Sequence, residues 1–239
     1  MTDITRLARL HAALMTPYDA DGKISDACLR NLVLHVRRQG IDGYYVGGST
    51  GEALLQTTEE RLHVLSIVAE SAGDGVRIGQ VGAISTREAV QLARGCAELG
   101  YDAISAIPPI YFPHSKDAII GYYSDIVEAA GGLPLIIYNI PAMSGVSFTL
   151  DDLGRLLEIP NVVGIKQTSI DMYQMEQLRR TFPNALLLNG YDEMLLAGTV
   201  AGANGGVGST YNVIGVNYVE MLRALRRGNL QEAQQLQAK

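Results

Sequence analysis

The sequence predicts a (β/α)8 barrel, a closed parallel sheet of eight strands surrounded by helices. Short apolar runs and segments of helical periodicity alternate eight times along the 239 residues. Strict alternation of strands and helices is typical of parallel sheets, and eight such units close a barrel. An open, doubly wound sheet is the alternative. Since no linker or low-complexity tract interrupts the series, we expect one barrel domain at residues 1–228, followed at 229–239 by the beginning of a further helix.

The predicted strands are short apolar runs bounded by glycine, proline or polar residues. They are residues 11–17, 43–47, 76–81, 103–107, 133–139, 162–167, 185–189 and 205–208. The last run reads Gly-Gly-Val-Gly, a composition that suits close approach of neighbouring backbones at a seam or a site.

The segments between the strands carry apolar residues at helical spacings. Residues 26–39 and 58–72 each place four apolar side chains on one face. Two other helix starts are marked by a capping pattern, in which a hydroxyl residue precedes an acid by three positions: Ser85 with Glu88, and Thr149 with Asp152. The last helix of the series is expected at 213–227.

Bulk composition indicates a globular protein and excludes several functional classes. Hydrophobic residues make up 47% of the chain, and the net charge of −6 comes without a basic run suited to nucleic acid. No stretch approaches about 18 uninterrupted apolar residues, so we expect no membrane span. The N-terminus lacks the basic-then-apolar order of a signal peptide, which predicts a cytoplasmic location. Two cysteines and four scattered histidines suggest neither a disulfide framework nor a metal site.

The most informative residue is Lys166, near the end of the sixth predicted strand. The chain has only three other lysines, and Lys23, Lys116 and Lys239 lie in a turn, at a helix start and at the C-terminus, where water can solvate them. A lysine buried among apolar residues tends to lose its proton, and a neutral amine is the nucleophile that forms a Schiff base with a carbonyl. The alternative is a lysine whose stem is buried while its head reaches water.

The barrel predicts that reactive residues lie where strands end and the following loops begin. Polar residues follow five of the predicted strands in this way: Ser49 and Thr50, Tyr138, Thr168, Gly190 with Asp192 and Glu193, and Ser209. Each cluster has a plainer explanation, such as a tight turn, an aromatic ring filling the barrel mouth, or acids at a helix N-terminus. The glycine-rich segment 202–208 lacks the spacing of a dinucleotide-binding loop.

Four motifs taken together carry a family resemblance. They are Gly-Gly-Ser-Thr-Gly-Glu at 47–52, Tyr-Asn-Ile-Pro at 138–141, Gly-Ile-Lys-Gln-Thr-Ser at 164–169 and Gly-Gly-Val-Gly-Ser-Thr at 205–210. The chain resembles the dihydrodipicolinate synthase / N-acetylneuraminate lyase superfamily of class I aldolases over essentially its whole length. Gly-Tyr-Asp-Glu at 190–193 looks like the N-acetylneuraminate lyase branch. The synthase branch carries an arginine shortly after its Tyr-Asn-Pro element, where this chain has Ala-Met-Ser at 142–144.

The resemblance implies reversible cleavage of N-acetylneuraminate to N-acetylmannosamine and pyruvate through a lysine imine, with no metal and no other cofactor. The residues implied to be catalytic are Lys166 (imine), Tyr138 (acid and base), Ser49 and Tyr111. The residues implied to bind substrate are Ser49 and Thr50 (carboxylate), and Thr168, Gly190, Asp192, Glu193 and Ser209 (sugar).

The resemblance also implies a homo-oligomer, a tetramer in the family. Tyr111 resembles a tyrosine that reaches the active site of a neighbouring subunit. Family members usually continue beyond the barrel with further helices, which are largely missing from this chain. Two alternatives therefore remain: a sister aldolase, acting on a 2-keto-3-deoxy sugar acid or like dihydrodipicolinate synthase, and a catalytically silent short form.

Overall fold

The computed structural model describes residues 4–239, and within them eight parallel strands close a barrel. The strands are β1 (Leu10–Ala13), β2 (Gly43–Val46), β3 (Val76–Gln80), β4 (Ala103–Ala106), β5 (Leu135–Asn139), β6 (Val162–Gln167), β7 (Leu186–Asn189) and β8 (Gly205–Gly208). Each strand pairs with the next along the chain, and β8 pairs with β1. The predicted barrel is confirmed, and the open sheet is excluded because β1 and β8 are paired.

Helices follow every strand and surround the barrel. They are α1 (Asp26–Arg38), α2 (Thr58–Ser71), α3 (Thr86–Glu98), α4 (Lys116–Ala129), α5 (Pro141–Ser144), α6 (Leu150–Leu157), α7 (Met172–Thr181), α8 (Leu195–Val200), α9 (Tyr211–Arg226) and α10 (Leu230–Gln237). None of the helices in residues 4–239 has the length and apolar character needed to cross a membrane.

The predicted capping patterns are present. Thr149 accepts a hydrogen bond from the backbone N–H of Asp152, whose carboxylate accepts one from the N–H of Thr149, at 3.1 and 3.0 Å. Ser85 accepts the N–H of Glu88 at 3.3 Å. These bonds satisfy N–H groups that have no partner inside the helix, so local sequence determines where α6 and α3 begin.

The first strand is shorter than predicted and ends at Ala13 instead of residue 17. Pro17 has no N–H to continue a ladder. Beyond it, Tyr18 forms an isolated antiparallel bridge with Ile24, and the Asp19 carboxylate accepts two backbone N–H groups of the turn between them. Of residues 14–17 only Leu14 is buried, so the predicted run extended beyond the strand.

The barrel interior is filled by side chains from alternate strand positions. This inner cluster includes Tyr45, Ile78, Ile136, Leu188 and Val207, all of them buried. A larger cluster lies between the strands and the helices. The inner packing forms a solid floor, above which the carboxyl ends of the strands open to the site.

Candidate active site

Strand register places Lys166 and Tyr138 side by side inside the barrel. The two residues are partners in the parallel pairing of β5 with β6. The Lys166 Nζ lies 3.6 Å from the centre of the Tyr138 ring and 4.2 Å from the centre of the Tyr45 ring. The amine is therefore held between two aromatic faces on the inner wall.

The amine of Lys166 is buried, with the residue only 3% exposed. The interpretation that its head reaches water is therefore wrong. Burial lowers the pKa of Lys166 because the charged form loses hydration, and the nearby Tyr138 and Asp192 oppose this effect only in part. A lowered pKa increases the fraction of neutral amine near pH 7, which is the reactive form.

The phenol of Tyr138 is prepared for proton transfer. Its hydroxyl lies 3.4 Å from the Ser49 Oγ. Burial alone raises the pKa of Tyr138. Whenever the Lys166 nitrogen carries a positive charge, as it would in a protonated imine, that charge and the hydrogen bond with Ser49 outweigh burial and lower the pKa of Tyr138 below its usual value. A phenol with a lowered pKa beside an amine can accept and return a proton.

One cavity of about 350 Å³ at the carboxyl ends of the strands brings together nine of the ten predicted site residues. They are Ser49, Thr50, Tyr138, Lys166, Thr168, Gly190, Asp192, Glu193 and Ser209. Tyr111 lies outside this cavity: it is 85% exposed, adopts a φ of 78° and contacts the ring of Phe112 edge-on.

Hydroxyl groups converge on one side of the cavity. Ser49 and Thr50 lie in a short 3-10 turn after β2, which Gly47 makes possible by adopting a φ of 73°. The Thr50 Oγ1 lies 2.7 Å from the Ser209 Oγ, so the loop after β2 contacts the loop after β8 here. This group of donors close to Lys166 suits the carboxylate of a 2-oxo acid.

Thr168 presents a buried hydroxyl that lies near the Tyr138 hydroxyl and makes no hydrogen bond of good geometry within residues 4–239. A Cβ at Gly190 would lie 1.9 Å from the Thr168 Oγ1, so only glycine fits there. An unpaired buried hydroxyl costs about 1–3 kcal/mol. A ligand hydroxyl that pairs with Thr168 would therefore recover part of that free energy.

Asp192 is 5% exposed and is fixed by Thr210. Its Oδ2 accepts the backbone N–H of Thr210 at 2.6 Å and the Thr210 hydroxyl at 2.5 Å. Since that hydroxyl has one hydrogen, the Tyr218 hydroxyl, 2.8 Å away, must donate to Thr210. The Asp192 Oδ1 makes no hydrogen bond to any described side chain or backbone group, which leaves it for a ligand.

Two residues of the site were not predicted. Thr210 directly follows Ser209 in a motif that carries the family resemblance, and this position was the only signal for it. Tyr45 appeared only as part of a predicted strand. It donates to the Ser105 Oγ at 3.0 Å and packs edge-on against Tyr138, with ring centres 5.9 Å apart. A tyrosine in an apolar strand usually fills the core, so its contact with the reactive lysine could not be inferred from the pattern.

No group of three or more His, Cys, Asp or Glu residues that could hold a metal ion occurs within the described part of the chain. The predicted absence of a metal remains a prediction.

The model of the dihydrodipicolinate synthetase family matches residues 6–239. The chain belongs to this family. It is 49% identical over 234 residues to the N-acetylneuraminate lyase of Escherichia coli O1:K1 / APEC, an alignment that covers 98% of this chain and 79% of that protein.

Two solved structures are similar to this chain over nearly its whole length. A catalytic lysine mutant of the sialic acid aldolase of Ruminococcus gnavus is 32% identical, with a TM-score of 0.96, and the match covers 100% of this chain and 79% of that one. The N-acetylneuraminate lyase of Fusobacterium nucleatum complexed with pyruvate is 38% identical, with a TM-score of 0.92, and the match covers 98% of this chain and 79% of that one.

Proposed function

We propose that this chain is a Schiff-base aldolase that reversibly cleaves N-acetylneuraminate to N-acetylmannosamine and pyruvate. The observation that carries this proposal is the buried amine of Lys166, held against Tyr138 in a cavity lined by hydroxyls and carboxylates. Two relatives support the proposal. The N-acetylneuraminate lyase of E. coli is 49% identical to this chain, and the similar structure of a sialic acid aldolase is that of a catalytic lysine mutant.

The first step is imine formation. Neutral Lys166 attacks the C2 ketone of the open-chain substrate, and loss of water gives a protonated imine. Ser49 and Thr50 hold the adjacent carboxylate and so orient C2 towards the amine. The protonated imine is the electron sink of the reaction, because it withdraws electrons from the C3–C4 bond. We therefore propose that turnover needs no metal and no cofactor, so treatment with a chelator should leave the rate unchanged.

Tyr138 acts as the base of the cleavage step. Its phenolate accepts the proton of the C4 hydroxyl, the C3–C4 bond breaks, and its electron pair forms the enamine of pyruvate. N-acetylmannosamine leaves as the aldehyde. Protonation of the enamine at C3 and hydrolysis of the imine then release pyruvate and restore Lys166. The hydrogen bond with Ser49 stabilises the phenolate while it holds no proton.

The sugar end is bound by Thr168, Gly190, Asp192, Glu193 and Ser209. The buried Thr168 hydroxyl and the free oxygen of Asp192 are suited to a polyhydroxylated chain. A site built to pair hydroxyls rejects analogues that lack them, because its own polar groups stay unpaired. The stretch Ala-Met-Ser at 142–144 offers no cation for a second substrate carboxylate, which disfavours a dihydrodipicolinate synthase-like activity.

We propose further that the chain forms a homo-oligomer, a tetramer as the resemblance implies, in which Tyr111 acts at a neighbouring site. The Tyr111 side chain is exposed and does not line the active-site cavity of its own chain. A second cavity of about 280 Å³ beside Ser49, lined by Leu54, Leu55 and Met143, is open to receive such a ring. Light scattering after size exclusion should give a multimer, and Tyr111→Ala should lower turnover; a fully active monomer would contradict this.

The decisive experiment offers the protein N-acetylneuraminate, 2-keto-3-deoxy sugar acids, and pyruvate with aspartate semialdehyde, and identifies the products. We expect N-acetylmannosamine and pyruvate from the first alone. Asp192→Ala should abolish this cleavage yet keep imine formation with pyruvate, whereas Asp125→Ala, at an exposed position of α4, should match wild type. Preferred turnover of a 2-keto-3-deoxy sugar acid would favour the sister aldolase, and inactivity of folded protein would favour the silent form.

A further inference from the structure

The side-chain amide of Gln237, on α10, bridges two backbone groups at the edge of the proposed sugar site. Its Nε2 donates to the carbonyl oxygen of Asp192 at 3.1 Å, and its Oε1 accepts the N–H of Leu196 at 3.0 Å. Asp192 is 45 residues away in the sequence, so the contact is tertiary. Both halves of the amide are used.

The two backbone groups are the pair that an α-helix would join directly. In an α-helix the N–H of residue i+4 donates to the carbonyl of residue i, and here those residues are Leu196 and Asp192. The Gln237 amide takes the place of that bond. The backbone bond that remains is the shorter one from the Leu195 N–H to the Asp192 carbonyl, so residues Asp192–Met194 form a 3-10 turn and α8 begins only at Leu195.

This segment, residues 191–196, is called the acidic turn. It carries Asp192 and Glu193, both of which line the active-site cavity. Thr210, which directly precedes α9, fixes the carboxylate of Asp192, and Gln237 of α10 binds its backbone carbonyl. Without the inserted amide, the Leu196 N–H could bond directly to the Asp192 carbonyl, extend α8 back through the turn and move both carboxylates with it.

We propose that Gln237 is a positioning residue for sugar recognition: its inserted amide keeps the acidic turn in its 3-10 form and holds Asp192 and Glu193 at the cavity. The inference rests on the proposed function for its substrate. It concerns the sugar end alone, because Lys166, Tyr138 and Ser49 lie on other strands and loops. Binding of pyruvate should therefore be independent of Gln237.

Two variants separate the effect of the amide hydrogen bonds from the effect of side-chain size. Gln237→Met keeps the length of the side chain and removes both hydrogen bonds. Gln237→Glu keeps the acceptor for Leu196, loses the donor to Asp192 and adds negative charge. Gln235→Met, at an exposed position of the same helix, is the matched control.

We expect Gln237→Met to raise the KM for N-acetylneuraminate about tenfold, or ~1.4 kcal/mol, and Gln237→Glu to raise it at least as much. The yield of borohydride-trapped pyruvate on Lys166 should stay at the wild-type level in both. Hydrogen–deuterium exchange of peptides covering 190–200, measured without substrate, should quicken in Gln237→Met and not in Gln235→Met.

Three results would overturn the proposal: unchanged KM in both variants, unchanged exchange, or a parallel fall of pyruvate trapping and melting temperature, which would indicate general destabilisation. Failure of the proposed function is distinguishable, because the wild-type protein itself would then cleave no N-acetylneuraminate while the exchange comparison would still report on the acidic turn.

Discussion

Thr210→Val tests how the protein holds its sugar-binding carboxylate. Valine has nearly the shape of threonine but no hydroxyl. The substitution removes the 2.5 Å hydrogen bond to the Asp192 Oδ2, leaves the 2.6 Å bond from the backbone N–H, and deprives the Tyr218 hydroxyl of its acceptor. Asp192 should then keep its position only in part.

The expected magnitude follows from the charge on the acceptor. A hydrogen bond to a charged group contributes about 1.5–3 kcal/mol, which corresponds to a loss of roughly 10- to 150-fold in kcat/KM for N-acetylneuraminate. The loss should be specific to the sugar end, so the imine of Lys166 with pyruvate should form as in wild type.

The assay couples released pyruvate to NADH oxidation by lactate dehydrogenase, with borohydride trapping of pyruvate as the parallel measurement. Thr210→Ser retains the hydroxyl and should stay close to wild type. Tyr218→Phe removes only the donor to Thr210 and should have a smaller effect than Thr210→Val. A kcat/KM for Thr210→Val within twofold of wild type would refute the reasoning, as would a trapping yield that falls in step with cleavage.

Three further predictions concern stability and fit. Burial lowers the pKa of His11 from its usual 6.5 to about 4. Between these two pH values the unfolded chain binds a proton that the folded chain does not, so the free energy of unfolding should fall by about 2 kcal/mol from pH 7 to pH 5. Urea titrations at the two pH values should show this loss in wild type and not in His11→Gln. Gly190→Ala should displace the Thr168 hydroxyl, raise the KM for N-acetylneuraminate about tenfold and leave pyruvate trapping intact. Thr149→Ala should lower the free energy of unfolding by about 1 kcal/mol by urea titration, whereas Thr149→Ser, which keeps the capping hydroxyl, should stay close to wild type.

Each of these predictions has a contrary result. The same pH dependence in wild type and His11→Gln would show that His11 does not stay neutral on folding. An unchanged KM in Gly190→Ala would mean that Thr168 does not contact the sugar. Equal stability of Thr149→Ala and wild type would mean that the capping box contributes nothing measurable to α6.

The sequence predicted the barrel because its evidence is local and repeated. Strand and helix periodicities record which side chains are buried, and eight repeats determine closure. Lys166 stood out for a similar reason, since it is the one lysine in an apolar strand. The local pattern failed at β1, where the predicted strand extended beyond Ala13. An apolar side chain does not require its backbone to be paired in a sheet.

Side-chain partners across the fold could not be predicted. The bonds from Thr210 to Asp192 and from Gln237 to Asp192 join residues 18 and 45 positions apart. No periodicity encodes such contacts, because they depend on how loops and helices meet above the barrel. The same holds for Tyr45, whose ring faces the Lys166 amine only because β2 and β6 lie opposite each other across the interior.

The most direct test of the account is borohydride trapping with pyruvate, followed by intact and peptide mass spectrometry. The buried, neutral amine predicts a single pyruvyl adduct on the peptide containing Lys166, absent from Lys166→Met and retained in Lys116→Met. An adduct on another lysine, or none in folded protein, would contradict the account at its centre.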